Sequence, residues 1–183
     1  MRLAENVKYE LRDKEGKVKP IFAFNKFFTW LLALGLITPF FPKVPFLAGN
    51  WVDSLSVSNL VVNAGMAGVA SRINGAGSEA AFTYIAIGTG TTAPAATDTT
   101  LETEITTGGG ARANSTVSRV TTDVTNDTAQ DQYTFNFTSS FAVTESGVLN
   151  AASSGTLLAR QTFSAINVAN GDSLQVTWKF DVD

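Results

Sequence analysis

Ten consecutive residues, Ser173-Leu-Gln-Val-Thr-Trp-Lys-Phe-Asp-Val182, alternate polar and apolar side chains without a break. Successive side chains on a strand point to opposite faces, so this segment reads as a strand with one buried and one solvated face. Gln132–Thr138 repeats the pattern, with Tyr133, Phe135 and Phe137 as its apolar face. Further strand candidates are Ser56–Val62, Phe82–Gly88, Thr116–Val124, Gln132–Phe141, Thr144–Leu149 and Leu157–Phe163. Asn126-Asp127, Ser139-Ser140, Asn150 to Gly155 and Asn170-Gly171-Asp172 supply turn signals between them. Many short strands of this kind predict a mainly β protein, an antiparallel β-sandwich of two packed sheets.

One short helix is expected over Asn63–Asn74. Met66, Val69, Ala70 and Ile73 fall on one face, and Asn63 is the candidate cap. Gly65 and Gly68 weaken the helix in isolation but would let it lie close against a sheet, and Gly75-Ala-Gly77 ends it.

The first 50 residues differ in character from the rest. They carry a formal charge of +4 against −7 for the remainder, and seven of the 13 Phe lie before Gly49. Val7–Leu11 and Val18–Phe24 alternate around Asp13-Lys-Glu-Gly16, the pattern of a hairpin or of two extended arms. Phe27–Ile37 is an apolar run that stops at Pro39 and is followed by the Pro-punctuated strap Pro39–Phe46. The division expected is therefore an N-terminal anchoring arm over 1–50, an aromatic-rich strap with a short apolar helix, and a sandwich body over 51–183. An apolar run shorter than the ~20 residues of a spanning helix favours burial against the chain's own body or a neighbouring subunit over membrane insertion. Phe27, Trp30, Leu31, Phe40, Phe41 and Phe46 are the candidate partner-binding anchors, with Lys17, Lys19 and Lys43 as electrostatic guides.

The chain has no Cys and no His. Disulfides, thiolate nucleophiles, Cys/His zinc sites and every triad or dyad that uses imidazole are thereby excluded. Gly88-Thr-Gly90 follows a strand, but neither the third glycine of a dinucleotide fingerprint nor a Gly-Lys-Thr follows, so it reads as a turn. Asp123, Asp127 and Asp131 recur at spacing four, too wide for a calcium loop, and read as carboxylates on a solvated hairpin tip. Glu102 and Glu104 fall on one face of any strand there and are the candidates for a glycosidase-type pair, a role ranked below a structural one. The acidic body lacks interleaved basic and aromatic residues, so no specific nucleic-acid contact is expected of it. No catalytic residue, metal site or cofactor is assigned.

Several blocks resemble virion structural proteins of tailed bacteriophages. They are Phe82-Thr-Tyr-Ile-Ala-Ile-Gly-Thr-Gly-Thr-Thr-Ala93, Asp98-Thr-Thr-Leu-Glu-Thr-Glu104, Arg119 within a Thr/Val strand, Phe141–Asn150, Leu157–Phe163 and Gly171–Trp178. The likeness spans about residues 55–183, and Thr144-Glu-Ser-Gly-Val-Leu149 is also similar to attachment domains of phage tail fibres. The resemblance implies a non-enzymatic virion protein of the capsid-decoration type, assembled in the host cytoplasm. Its partners would be copies of itself and other capsid or tail proteins. The alternative it implies is a tail-fibre or tail-tip attachment subunit, with the long Thr89–Thr100 loop offered to host-surface glycan.

Overall fold

The computed structural model describes residues 3–24 and 49–182. Its first sheet runs, in spatial order, β2 (Val18–Lys19), β1 (Leu3–Arg12), β13 (Ser173–Val182), β10 (Thr128–Asn136) and β9 (Thr116–Val120), with β5 (Leu55–Ser58) also paired to β1. The second sheet runs β6 (Leu60–Val61), β12 (Leu157–Val168), β11 (Phe141–Leu149), β7 (Tyr84–Gly88) and β8 (Ala113–Asn114). A separate ribbon pairs β3 (Ile21–Phe24) with β4 (Gly49–Val52), and one helix, α1 (Asn63–Asn74), precedes β7. Every strand pairing among the described residues is antiparallel.

The alternating C-terminal segment becomes the central strand of the first sheet. β13 pairs with β1 from Leu3↔Val182 to Arg12↔Ser173 and with β10 from Thr128↔Asp181 to Asn136↔Ser173. Its even-numbered side chains Leu174, Val176, Trp178 and Phe180 are buried with Val7, Tyr9, Leu11 and Phe135. Ile85, Ile87, Val143, Val148 and Ile166 of the second sheet belong to the same core, giving a sandwich-like arrangement of two sheets over one apolar layer. Complete burial of each such side chain contributes about 1.5–3 kcal/mol. The Tyr9 hydroxyl and Ser146 Oγ, 2.6 Å apart, form a hydrogen bond between the sheets. Burial pushes the Tyr9 phenol well above its usual pKa despite that bond, so the pair is neutral.

Three expectations are corrected. Residues 3–24 are not part of a projecting arm: β1 lies between β13 and the short strands β2 and β5, and its inward side chains belong to the core. Its alternation is that of a sheet strand whose partner lies at the far end of the chain. Second, the helix does not present Met66 and Ile73 to the sheet. Gly65 and Gly68 are its buried residues, while Met66 is 50% and Ile73 68% exposed. A Cβ on Gly65 would overlap the Leu158 backbone, so α1 approaches β12 through the surface where side chains are missing. Third, Asn63 is not the cap: the helix begins at Asn63, the capping residue is Val62, and no side chain caps it. Gly75, at φ 70°, closes the helix as anticipated.

Strand limits also shift at Asp127, whose carboxylate accepts hydrogen bonds from the backbone N–H groups of Thr122 (2.9 Å), Asp123 (2.8 Å) and Val124 (2.6 Å). These bonds turn the chain after Val120, so β9 is shorter than expected and β10 starts at Thr128 instead of Gln132. The same N–H groups, Val124 first, hold the Asp127 carboxyl well below the usual range.

Candidate functional site

The centre of the second sheet is buried on both faces. Ser146 and Val148 of β11 face the core, while Glu145, Gly147 and Leu149 face the opposite way and are also buried. A strand buried twice needs a second cover, and the chain from Thr89 to Arg112 supplies it. Leu101 from this segment packs with Val62, Ala86, Leu149 and Leu157.

Glu145 has no solvent exposure. A carboxylate taken out of water costs several kcal/mol unless its oxygens are matched by donors. Oε1 accepts the N–H of Thr103 (2.7 Å) and of Gly90 (3.0 Å), and Oε2 accepts Arg160 Nε (2.8 Å) and the N–H of Glu102 (3.0 Å). Arg160 sits on β12 opposite Gly147, and its side chain is 3% exposed. Its other nitrogens reach Asp98 Oδ2 (2.8 Å) and Glu102 Oε2 (3.4 Å). Burial pulls the Arg160 pKa down, but the hydrogen bonds and charges of Glu145 and Asp98 outweigh it, and the net direction is upward.

The covering loop is tied at further points. Thr92 donates from its N–H and its hydroxyl to the two Glu102 oxygens, both at 2.8 Å, and these bonds depress the Glu102 pKa ahead of the smaller effect of Arg160. Thr144 Oγ1 donates to the Gly90 carbonyl at 2.8 Å. Arg112 grips Glu104 through Nε (3.0 Å) and a terminal nitrogen (2.6 Å), and donates to the carbonyls of Ala151 (3.0 Å) and Ser154 (2.8 Å). The loop is thereby joined to β11, to β12 and to the turn between them.

Within Gly88-Thr-Gly90, Gly90 donates its N–H to an anion, and that anion is the chain's own Glu145. A Cβ on Gly90 would come within 2.6 Å of both Glu145 Oε1 and Glu102 Cβ, and one on Gly88 would overlap Glu145 and the Thr103 carbonyl. Glu102 and Glu104 do not form a pair: each turns to its own arginine. Above Arg160 lies a cavity of about 400 Å3, walled by Thr92, Thr97, Asp98, Thr99, Thr100 and Glu102.

The three aspartates at spacing four are dispersed as well. Asp127 organises its turn, whereas Asp131 is buried on β10, where Ser115 Oγ lies 2.7 Å from its Oδ1 and 2.8 Å from the Thr83 carbonyl. Burial pushes Asp131 up to about 6, against the lowering effect of Ser115.

Of the residues expected to bind a partner, Lys17 is exposed in the turn between β1 and β2, its N–H donating to Asp13 Oδ1 at 2.9 Å. Lys19 is engaged internally, with Nζ 2.5 Å from Asp172 Oδ2, which accounts for its charge without an external partner. Phe27, Trp30, Leu31, Phe40, Phe41, Lys43 and Phe46 lie outside the described residues. Glu145 and Arg160 were not anticipated. The available signal was a charged residue inside each of two strand candidates, Glu145 in Thr144–Leu149 and Arg160 in Leu157–Phe163. Comparison with family models, with curated proteins and with solved structures returns no match.

Proposed function

We propose that the chain is a non-enzymatic structural subunit of a tailed-phage particle, an accessory surface protein of the capsid-decoration type. In this reading it is held by the aromatic segment that contains Phe27, Trp30, Leu31, Phe40, Phe41 and Phe46. The observation that carries the anchoring role is the pairing of Phe24 with Gly49 at the end of the β3–β4 ribbon. It brings the two ends of residues 25–48 together, so the apolar sequence is an insertion between two strands of the body. Ile21 belongs to the core and Trp51, paired with Phe22 on the ribbon, is 68% exposed, so the ribbon is rooted in the body and has an apolar outer surface. Lys17 and Lys43 act as the electrostatic guides, and Lys19 ties β2 to the β12–β13 turn through Asp172.

The carboxylate-rich loop supports a structural role over a catalytic one. Asp98, Glu102 and Glu145 accept from Arg160 and Glu104 accepts from Arg112, leaving no opposed acid and base pair among the described residues. The second reading, a tail attachment subunit, draws on the Thr-lined cavity above Arg160 and on the similarity of Thr144–Leu149 to fibre attachment domains.

The pairing defines the experiment. Replacing residues 25–48 by a two-residue Asn-Gly turn preserves the ribbon, whereas removing residues 1–50 would delete β1 from the core. The turn variant should fold with the thermal midpoint of the parent and fail to load onto particles. Loading at normal occupancy would refute anchoring by this segment.

A further inference from the structure

The outer face of the first sheet carries a polar concavity of about 490 Å3 that the anchoring role does not use. Its floor consists of two adjacent rows across three strands, Asn6–Lys179–Gln130 and Lys8–Thr177–Gln132. Lys8 and Lys179 are diagonal neighbours, with Cβ atoms roughly 7 Å apart in an antiparallel pair. Both are exposed, and among the described residues Lys179 has no ion-pair partner. The nearest acids on this face stand at its two ends and are occupied. Glu10 pairs with Arg12 and lies 3.8 Å from Lys8, and Asp181 accepts from Thr128 Oγ1 at 3.1 Å. In a chain of net charge −3 the lining of this concavity thus holds two lysines and no acid, with Glu10 reaching Lys8 at one edge and Lys179 unpaired among the described residues.

The amides have defined orientations. Gln130 Nε2 donates to Ser118 Oγ at 3.2 Å and Gln132 Nε2 donates to Thr177 Oγ1 at 2.9 Å. Their carbonyl oxygens are therefore left to accept from a ligand, beside two ammonium groups that donate. A surface with no aromatic or large aliphatic side chain offers nothing for an apolar protein partner or for stacking a base or a neutral sugar ring. It matches a ligand that presents many hydroxyls and a repeated negative charge.

We propose that this face binds an acidic polysaccharide, with Lys8 and Lys179 on successive anionic groups and Gln130 and Gln132 accepting from sugar hydroxyls. Two lysines without arginine or aromatic neighbours are too few for the charge density of a nucleic acid, which makes a sugar acid the better fit.

The test is calorimetric titration of the full-length protein with an oligogalacturonate, a neutral dextran oligomer and a single-stranded DNA oligomer of matched length. Binding of the uronate alone is expected, weakened by added salt and reduced at least about tenfold in the K8Q/K179Q variant. Both lysines are exposed, so that variant should keep the parental thermal midpoint. Should it unfold, Gln132→Glu provides the same test by adding a repelling charge to the floor. Amide NMR shifts confined to β1, β13 and β10 would locate the ligand on this face. Absence of uronate binding, tighter binding of DNA, or uronate binding unaffected by these substitutions would overturn the proposal. The test reads the isolated protein, so it is independent of particle loading.

Discussion

Glu145 Oε2 and Arg160 Nε meet at 2.8 Å on the outer face of the second sheet, with both side chains almost wholly removed from solvent. This pair fixes the largest irregular segment of the described chain. Three backbone N–H groups from that segment end on Glu145, and two of its carboxylates end on Arg160.

Replacing Glu145 by Gln puts an NH2 group where donors converge and leaves Arg160 short of charge. Breaking one side of a buried pair costs about 3–5 kcal/mol, so the thermal midpoint should fall by roughly 6–20 °C at ~2–4 °C per kcal/mol. In a cycle with Arg160→Met, the double variant should lose less than the sum of the two single losses, by about 0.5–3 kcal/mol. It should remain less stable than the parent because an amide keeps only one oxygen, so the N–H groups of Gly90, Glu102 and Thr103 are no longer all matched by an acceptor. Limited proteolysis within residues 91–100 should accelerate in every variant of the cycle.

Gly90→Ala tests the cradle independently of charge. Its Cβ would sit 2.6 Å from Glu145 Oε1 in a place where neither the buried carboxylate nor the loop has room to retreat. A loss of about 1–3 kcal/mol, the usual cost of overpacking, is expected in chemical denaturation. Gly75→Ala, with nothing within 4 Å of the new Cβ, should cost only the strain of its left-handed backbone.

Asp131 gives the body a specific pH dependence. Its folded pKa of about 6 lies above the unfolded value of about 3.9, so the folded state holds the proton more tightly. The stability it contributes is fully present below about pH 4 and is lost as pH rises through 6, at most roughly 3 kcal/mol. Asp131→Asn keeps an acceptor for Ser115 and removes this titration. The stability difference between variant and parent should therefore move in favour of the variant between pH 4.5 and 7.5, as read by urea midpoints. Glu102 and Asp127, depressed by backbone donors, act in the opposite sense and are common to both proteins, so they cancel in that difference.

Much of the body could be read from the sequence because its strands obey a single period. Ser173–Val182 is a strand over the limits its alternation implies. Val7–Leu11 was also readable as extended, but its partner is β13, more than 160 residues away, and local pattern holds no information about that pairing. The close approach of α1 to the sheet was legible in Gly65 and Gly68, whereas the exposure of Met66 and Ile73 was not, because an apolar stripe reads as a buried face. Glu145 is hidden for a different reason. Thr144–Leu149 reads only as a strand candidate, and it is the return of residues 89–104 over its outer face that turns Glu145 into an internal anion site.

The functional account is tested most directly by counting copies of the chain in purified, tail-bearing particles by quantitative mass spectrometry against a capsid protein of known stoichiometry. A capsid-decoration subunit should be present at on the order of hundreds of copies per particle, in keeping with a symmetric shell. A handful of copies would move it to the tail, and its absence from the particle would contradict the structural role altogether.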